Sequence, residues 1–408
     1  MILVGRVRIL LIAIPTFVAG CMHPRPMQTP ESVQLTPLTT IPTIEARVML
    51  ALAGVQGISV SNAVDCYRMQ YSIQDNGKVI QLSGLLALPR GVAPRRLVSF
   101  QHGTTTTRTA VPSQPDDTGI AVAIAFAGNG YALVVPDYPG LGESEGRHPY
   151  YVADAIGPAV VGMIEAAQRL DGVPSSPVFL SGFSEGGWAS LAALRIMETD
   201  GKQVLGSAQV AGAYDLRHGS LSAALKGGAP SDSLYLAYAA WGQSAYYSHP
   251  LDSVLTPEYA TLVERLFAGA KPQEILKALP ENPRTMFNQN FLDAFDHDKS
   301  HWYLDAFTVN SLVDVVPRAP LRLYYGSMDR DVLPDEALNA SRIMQARGAN
   351  VTAIDVGPVG HDASMLAAAP RILAWLRELE TAAAKSRATT RPPVKEASLL
   401  AAGTVSPL

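Results

Sequence analysis

Apolar and polar positions run in two rhythms along this chain. Residues 67–73 and 79–88 alternate with period two, and Asp75-Asn76-Gly77 between them has turn chemistry, so the pattern predicts a β-hairpin. Short apolar runs at 97–100 and 132–136 predict strands, the first ending at Gln101-His102-Gly103 and the second at Asp137-Tyr138-Pro139-Gly140. Val152, Ile156, Val160 and Ile164 then recur every fourth residue, the stripe of a helix. Residues 177–181 read as a buried strand, and Trp188, Leu191, Ala192 and Ile196 as the helix after it. Further on, 206–213, 321–325 and 351–355 predict strands, and 337–346 and 364–379 predict helices. Strands alternating with helices imply an α/β fold with a mainly parallel sheet covered on both faces, the first hairpin forming an antiparallel edge.

The alternation breaks between about 214 and 320. That stretch reads mostly helical, over 234–245, 257–267, 271–278 and 283–296, and it is rich in aromatic residues, among them Tyr235, Tyr238, Trp241, Phe287, Phe291 and Tyr303. A helical insertion there is expected to cap a site and to line an apolar pocket, most of its aromatics packing it against the sheet. The organisation predicted is thus a core over 44–213 and 321–380, interrupted by the insertion over 214–320.

The ends follow other rules. Arg6 and Arg8 precede an apolar run over 9–18 that is too short to span a bilayer comfortably, which predicts a targeting segment over 1–20. Val18-Ala19-Gly20-Cys21 resembles a bacterial lipobox, in which the cysteine becomes the lipidated N-terminus; an ordinary secretory cleavage site is the alternative. Both readings export the protein, and the first makes Cys21 a membrane anchor on a bacterial cell envelope. Residues 21–43, rich in Pro and Thr, are expected to be a tether, and 381–408 a loose tail.

Composition narrows the function. The chain has 408 residues, 48% hydrophobic and 17% charged, enough for a large core. A net charge of −4 gives no general basic footprint for nucleic acid. The only cysteines are Cys21 and Cys66, and no Cys/His cluster suggests a metal site, so no cofactor is expected. Cys66 reads as a buried small hydrophobe.

The candidate chemistry centres on Gly182-Phe183-Ser184-Glu185-Gly186-Gly187, which fits G-x-S-x-G. In that device a serine sits on a strained strand-to-helix turn that exposes its hydroxyl, and side chains two residues before and after would clash across the turn. A serine hydroxyl is a poor nucleophile at neutral pH and needs a base oriented by a carboxylate. Past the strand at 321–325, Gly326-Ser327-Met328-Asp329-Arg330-Asp331 offers two carboxylates; Asp329 is preferred and Asp331 is the fallback. His361, after the last strand and before the last helix, is the sole histidine downstream of Asp329 and so the candidate base. His148 lies in a Gly-rich loop near the expected mouth; contact with substrate is one reading, and a surface or capping role is the preferred one. A tetrahedral oxyanion also needs donors. The N–H of Glu185 is one, with the side chain pointing away; Thr104, or failing it Gly103, supplies the other from the His102-Gly103 loop.

The order of the HG loop, Asp137–Gly142, Gly-Phe-Ser-Glu-Gly-Gly, helical insertion, GSMD and GH resembles the α/β-hydrolase superfamily, over roughly residues 67–379. It is most similar to secretory lipase-like esterases with a helical lid between the sixth and seventh core strands. Asn310-Ser311-Leu312-Val313-Asp314 also looks like that group. The resemblance implies a serine esterase acting on small-molecule or lipid esters through an acyl-enzyme. A peptidase or amidase of the same fold and a non-catalytic envelope lipoprotein are the alternatives; a propeller like that of prolyl-oligopeptidase-like peptidases has no room before the core.

Overall fold

Strand and helix follow one another in the computed structural model much as the hydrophobic rhythm predicts. The structure describes Pro24 and residues 33–75, 77–114 and 117–390. Nine strands form one sheet: β1 (Gln34–Ile41), β2 (Val64–Asp75), β3 (Lys78–Pro89), β4 (Leu97–Gln101), β5 (Ala132–Pro136), β6 (Val178–Phe183), β7 (Val204–Val210), β8 (Leu321–Tyr325) and β9 (Val351–Asp355). Their order is β1-β2-β3-β5-β4-β6-β7-β8-β9. From β5 to β9 all neighbours are parallel, while β1, β2 and β3 join antiparallel at one side.

The central strands β4 and β5 are buried along their whole length, as strands covered on both faces must be. Alternate residues serve opposite faces. In β5, Ala132 and Val134 pack with helices α3 (Ala153–Gln168), α4 (Glu185–Thr199) and α11 (Pro334–Ala346). Leu133 and Val135 pack with α1 (Thr43–Leu52), α2 (Asp117–Ala127) and α12 (His361–Thr390).

Two expectations about the ends need correction. Residues 34–41, assigned to the tether, form β1, paired with β2 from Gln34–Gln70 to Ile41–Val64, so the first hairpin is not the sheet edge. The pattern hid this because β1 is half exposed and interrupted by Pro37, whose missing N–H suits an edge strand. At the other end α12 continues to Thr390, so the tail expected from 381 is helical over its first ten residues. The targeting segment and Cys21 lie outside the described residues. Among the described residues, no helix is long and apolar enough to cross a membrane.

The insertion between β7 and β8 is helical, with α5 (Leu221–Lys226), α6 (Asp232–Tyr246), α7 (Pro257–Phe267), α8 (Pro272–Ala278), α9 (Gln289–Asp296) and α10 (Trp302–Val309). Local chemistry starts its helices. Thr256 caps α7 by accepting from Tyr259 N–H, with Pro257 at the first position, and Asn288 caps α9 by accepting from Phe291 N–H. Tyr238, Phe287, Phe291, Tyr303 and Phe307 are buried and pack the insertion, as expected of most of its aromatics. Asn310 fastens it to the core: its side-chain oxygen accepts from Ala153 N–H, and its carbonyl accepts from the Trp188 indole of α4.

Candidate active site

Ser184 stands at the junction of β6 and α4 with φ 58° and ψ −122°, a conformation that a side-chain-bearing residue adopts only at a cost. The turn is held from both sides. Ser184 N–H donates to Val210 O at 2.8 Å, and Gly187 N–H donates to Ser184 O at 2.8 Å. The flanking glycines are obligatory: a Cβ on Gly186 would lie 1.9 Å from Gln101 O, and one on Gly182 would lie 2.1 Å from Gly186 O.

The loops after β8 and β9 bring the partners. Asp329 Oδ2 lies 2.8 Å from His361 Nδ1, and His361 Nε2 lies 2.8 Å from Ser184 Oγ. A carboxylate accepts, so Nδ1 carries the hydrogen, and Nε2 is left to accept the serine proton. Asp329 is fixed in turn, its Oδ1 accepting from the N–H groups of Asp331 and Val332. Asp331, the fallback carboxylate, turns elsewhere and accepts from the Ser231 hydroxyl of the insertion. The structure therefore brings Ser184, His361 and Asp329 together and leaves Asp331 out.

Burial alone would lower the pKa of His361. The hydrogen bond and charge of Asp329, with the charges of Asp331 and Asp362, outweigh it and raise the pKa above the ordinary 6.5. Phe183 packs on the imidazole with ring centroids 4.8 Å apart.

The serine opens on a cleft of about 320 Å³ lined by the 102–105 loop, Ala110, Pro112, Phe183, Tyr235, His361 and Asp362. Thr104 faces this cleft, and its hydroxyl lies 2.8 Å from Tyr150 OH. Gly103 approaches closely, since a Cβ there would lie 3.4 Å from Ser184 Cβ. Glu185 begins α4, where an N–H has no intrahelical acceptor. Its side chain is fully buried, and its Oε1 lies 2.7 Å from His148 Nε2.

Three polar features escaped sequence reasoning. His148, given a surface or capping role, is instead 1% exposed, and its Nε2 lies 2.7 Å from Glu185 Oε1. Buried Asp137 accepts from the Ser83 hydroxyl and Ser113 N–H, pinning the loop after β5. Glu336 of α11 accepts from Tyr214 N–H, Asp215 N–H and the Ser220 hydroxyl, closing the first turn of the insertion onto the core. Each is a contact between distant segments, and no local spacing announces it. Cys66 is buried as expected; burial first, then the charge of Asp65, pushes its thiol up to about 12, far from thiolate chemistry. Among the described residues, no group of three or more metal-ligating side chains stands together.

The sheet, its crossing helices and the serine turn define the α/β-hydrolase fold, and solved structures bear this out. A protein of Legionella pneumophila assigned to the hydrolases superposes with TM-score 0.78 and 26% identity, over 85% of this chain and 97% of that one. The rice cell wall degrading esterase LipA of Xanthomonas oryzae gives TM-score 0.74 and 25% identity, over 85% of this chain and 96% of its own. Candida antarctica lipase A in its closed state shares the fold at TM-score 0.62 and 16% identity, over 82% and 78% of the two chains. No protein-family model matches the chain, and a comparison with curated proteins gives no match.

Proposed function

We propose that this protein is a serine hydrolase that cleaves carboxylic esters. The observation that carries the proposal is the unbroken hydrogen-bonded chain Asp329–His361–Ser184, with the serine on a strained turn at the floor of a cleft. Ser184 Oγ attacks the ester carbonyl carbon and passes its proton to His361 Nε2. Asp329 holds the imidazole and balances the charge it gains. The carbonyl oxygen, now an oxyanion, takes hydrogen bonds from the N–H groups of Glu185 and Thr104. Collapse of this intermediate breaks the bond to the alcohol, which leaves with the proton from Nε2. Water then attacks the acyl-Ser184, again giving its proton to His361, and the acid departs as Ser184 recovers its hydrogen.

Ester rather than amide hydrolysis is favoured by the likeness to the Xanthomonas oryzae protein, which is named an esterase. The test is direct. Ser184→Ala is expected to abolish hydrolysis of short acyl esters, and a fluorophosphonate probe to label Ser184 in the wild type. Full activity in the variant, or active protein without a labelled serine, sinks the reading. Faster turnover of aminoacyl amides than of matched esters would assign the same machinery to a peptidase.

The N-terminal segment supports export with lipidation at Cys21, which would hold the enzyme on a bacterial envelope and present it to small-molecule or lipid esters. Intact mass of the mature protein decides this: a diacylglyceryl cysteine at position 21 is expected, and an unmodified N-terminus contradicts it.

A further inference from the structure

The residue after the nucleophile carries a carboxylate that the reaction does not use. Glu185 is 0% exposed, and its Oε2 has no hydrogen-bond partner among the described residues. Its Oε1 meets His148 Nε2 at 2.7 Å. The other ring nitrogen of His148, Nδ1, lies 2.9 Å from Pro139 O, and a carbonyl only accepts, so Nδ1 carries a hydrogen. A carboxyl oxygen facing Nε2 at this distance then requires one more proton between them. The pair is either imidazolium and carboxylate or imidazole and carboxylic acid, neutral overall in both forms. Removing the histidine would leave a buried carboxylate uncompensated, one residue from Ser184.

What surrounds His148 gives the pair its meaning. Three tyrosine rings stand about the imidazole, those of Tyr138, Tyr150 and Tyr238, with centroids 5.8, 6.0 and 5.8 Å away. Each of their hydroxyls reaches the loop opposite the serine. Tyr138 donates to His102 O at 2.9 Å, Tyr150 meets the Thr104 hydroxyl at 2.8 Å, and Tyr238 donates to Thr105 O at 3.0 Å. Both sides of the oxyanion site, the Glu185 end of α4 and the 102–105 loop, are therefore tied to one buried imidazole. Tyr238 comes from α6, so the insertion takes part in the same hub. On the far side α6 is pressed close: a Cβ on Gly242 would lie 2.3 Å from His148 O.

We propose that His148 is a positioning residue for the oxyanion site, acting through its shared-proton bond to Glu185 and its tyrosine collar. The proposal rests on the ester hydrolase reading, with Glu185 and Thr104 as donors. A donor misplaced by a few tenths of an ångström loses transition-state binding while leaving ground-state substrate contacts largely alone.

The experiment compares His148→Phe, His148→Gln and Glu185→Ala with the wild type, each checked for cooperative thermal unfolding. His148→Phe and Glu185→Ala are expected to lose about 10- to 100-fold in kcat with KM changed less than about threefold. A trifluoromethyl ketone, which mimics the tetrahedral oxyanion, should lose affinity by the same factor. His148→Gln, whose amide can place a donor near the Nε2 position, should lose several-fold less than His148→Phe. A folded His148→Phe with wild-type kcat overturns the proposal, as does a loss confined to KM or one not matched in the ketone affinity. If His148→Phe does not fold, Glu185→Ala carries the same test. Fluorophosphonate labelling separates the two levels of argument: unlabelled Ser184 in the wild type ends the hydrolase reading, whereas labelled protein with unaffected variants ends only this one.

Discussion

His361 Nε2 lies 2.8 Å from Ser184 Oγ, although the two residues stand 177 positions apart in the chain. The sheet makes the contact by bringing the end of β6 and the loop after β9 to the same site. The histidine is oriented by its other nitrogen, held by Asp329. Asp329→Asn keeps the shape of the side chain but can present an amide N–H to Nδ1, which favours the tautomer with hydrogen on Nε2, unable to accept the serine proton. The expected result is a kcat about 10³- to 10⁴-fold lower with KM little changed, measured on a short acyl ester.

The same carboxylates set the pH dependence. The mechanism needs His361 neutral in the free enzyme, and its pKa lies above 6.5 once Asp329, Asp331 and Asp362 outweigh burial. kcat/KM should therefore rise with pH along an acidic limb whose midpoint lies above 6.5. Removing negative charge destabilises the imidazolium, so Asp362→Asn should move that midpoint down, and Asp331→Asn should do the same. A pH–rate profile in which neither variant shifts the limb downward contradicts this account of the site.

The same contrast between local and distant contacts explains how much the chain disclosed in advance. The serine turn was legible because its motif is local, two glycines within four residues around Ser184, although only the clash of Gly182 with Gly186 O is local and that of Gly186 is with Gln101 O of β4. The positions of Asp329 and His361 were legible because chain order and strand ends confine them. Asp331 could be set aside only once Ser231 of the insertion was seen to engage it. β1 was missed because a half-exposed edge strand containing Pro37 lacks the apolar alternation that marks its neighbours. His148 was misjudged because its partner is 37 positions away and its collar of tyrosines comes from two different segments.

Glu336 predicts how stability responds to pH. Burial, working against three donated hydrogen bonds, pushes its carboxyl from 4.5 up to about 7. The folded protein thus binds this proton more tightly than the unfolded chain. The stability it contributes is full below pH 4.5 and is lost as pH rises towards 7. Glu336→Gln can still accept from Tyr214 and Asp215 N–H and no longer ionises. Its stability relative to the wild type should rise steadily between pH 4.5 and 7, by ~3 kcal/mol if the whole shift is expressed. Urea denaturation of both proteins across that range measures it, and a constant difference would contradict the assignment.

Tyr235 predicts where specificity can be moved. It is carried by α6 of the insertion and is the insertion's contribution to the wall of the 320 Å³ cleft at Ser184. The other walls belong to the core and include the catalytic residues themselves, so this side chain is where the insertion sets the size of the cleft. Truncating it in Tyr235→Ala removes a ring that touches neither His361 nor Ser184 through any hydrogen bond. With p-nitrophenyl esters of graded acyl length, the ratio of kcat/KM for long over short chains should rise about 10-fold, since one or two newly buried methylenes are worth ~1 kcal/mol each. An unchanged ratio would mean that the acyl chain leaves the cleft by another wall, away from α6.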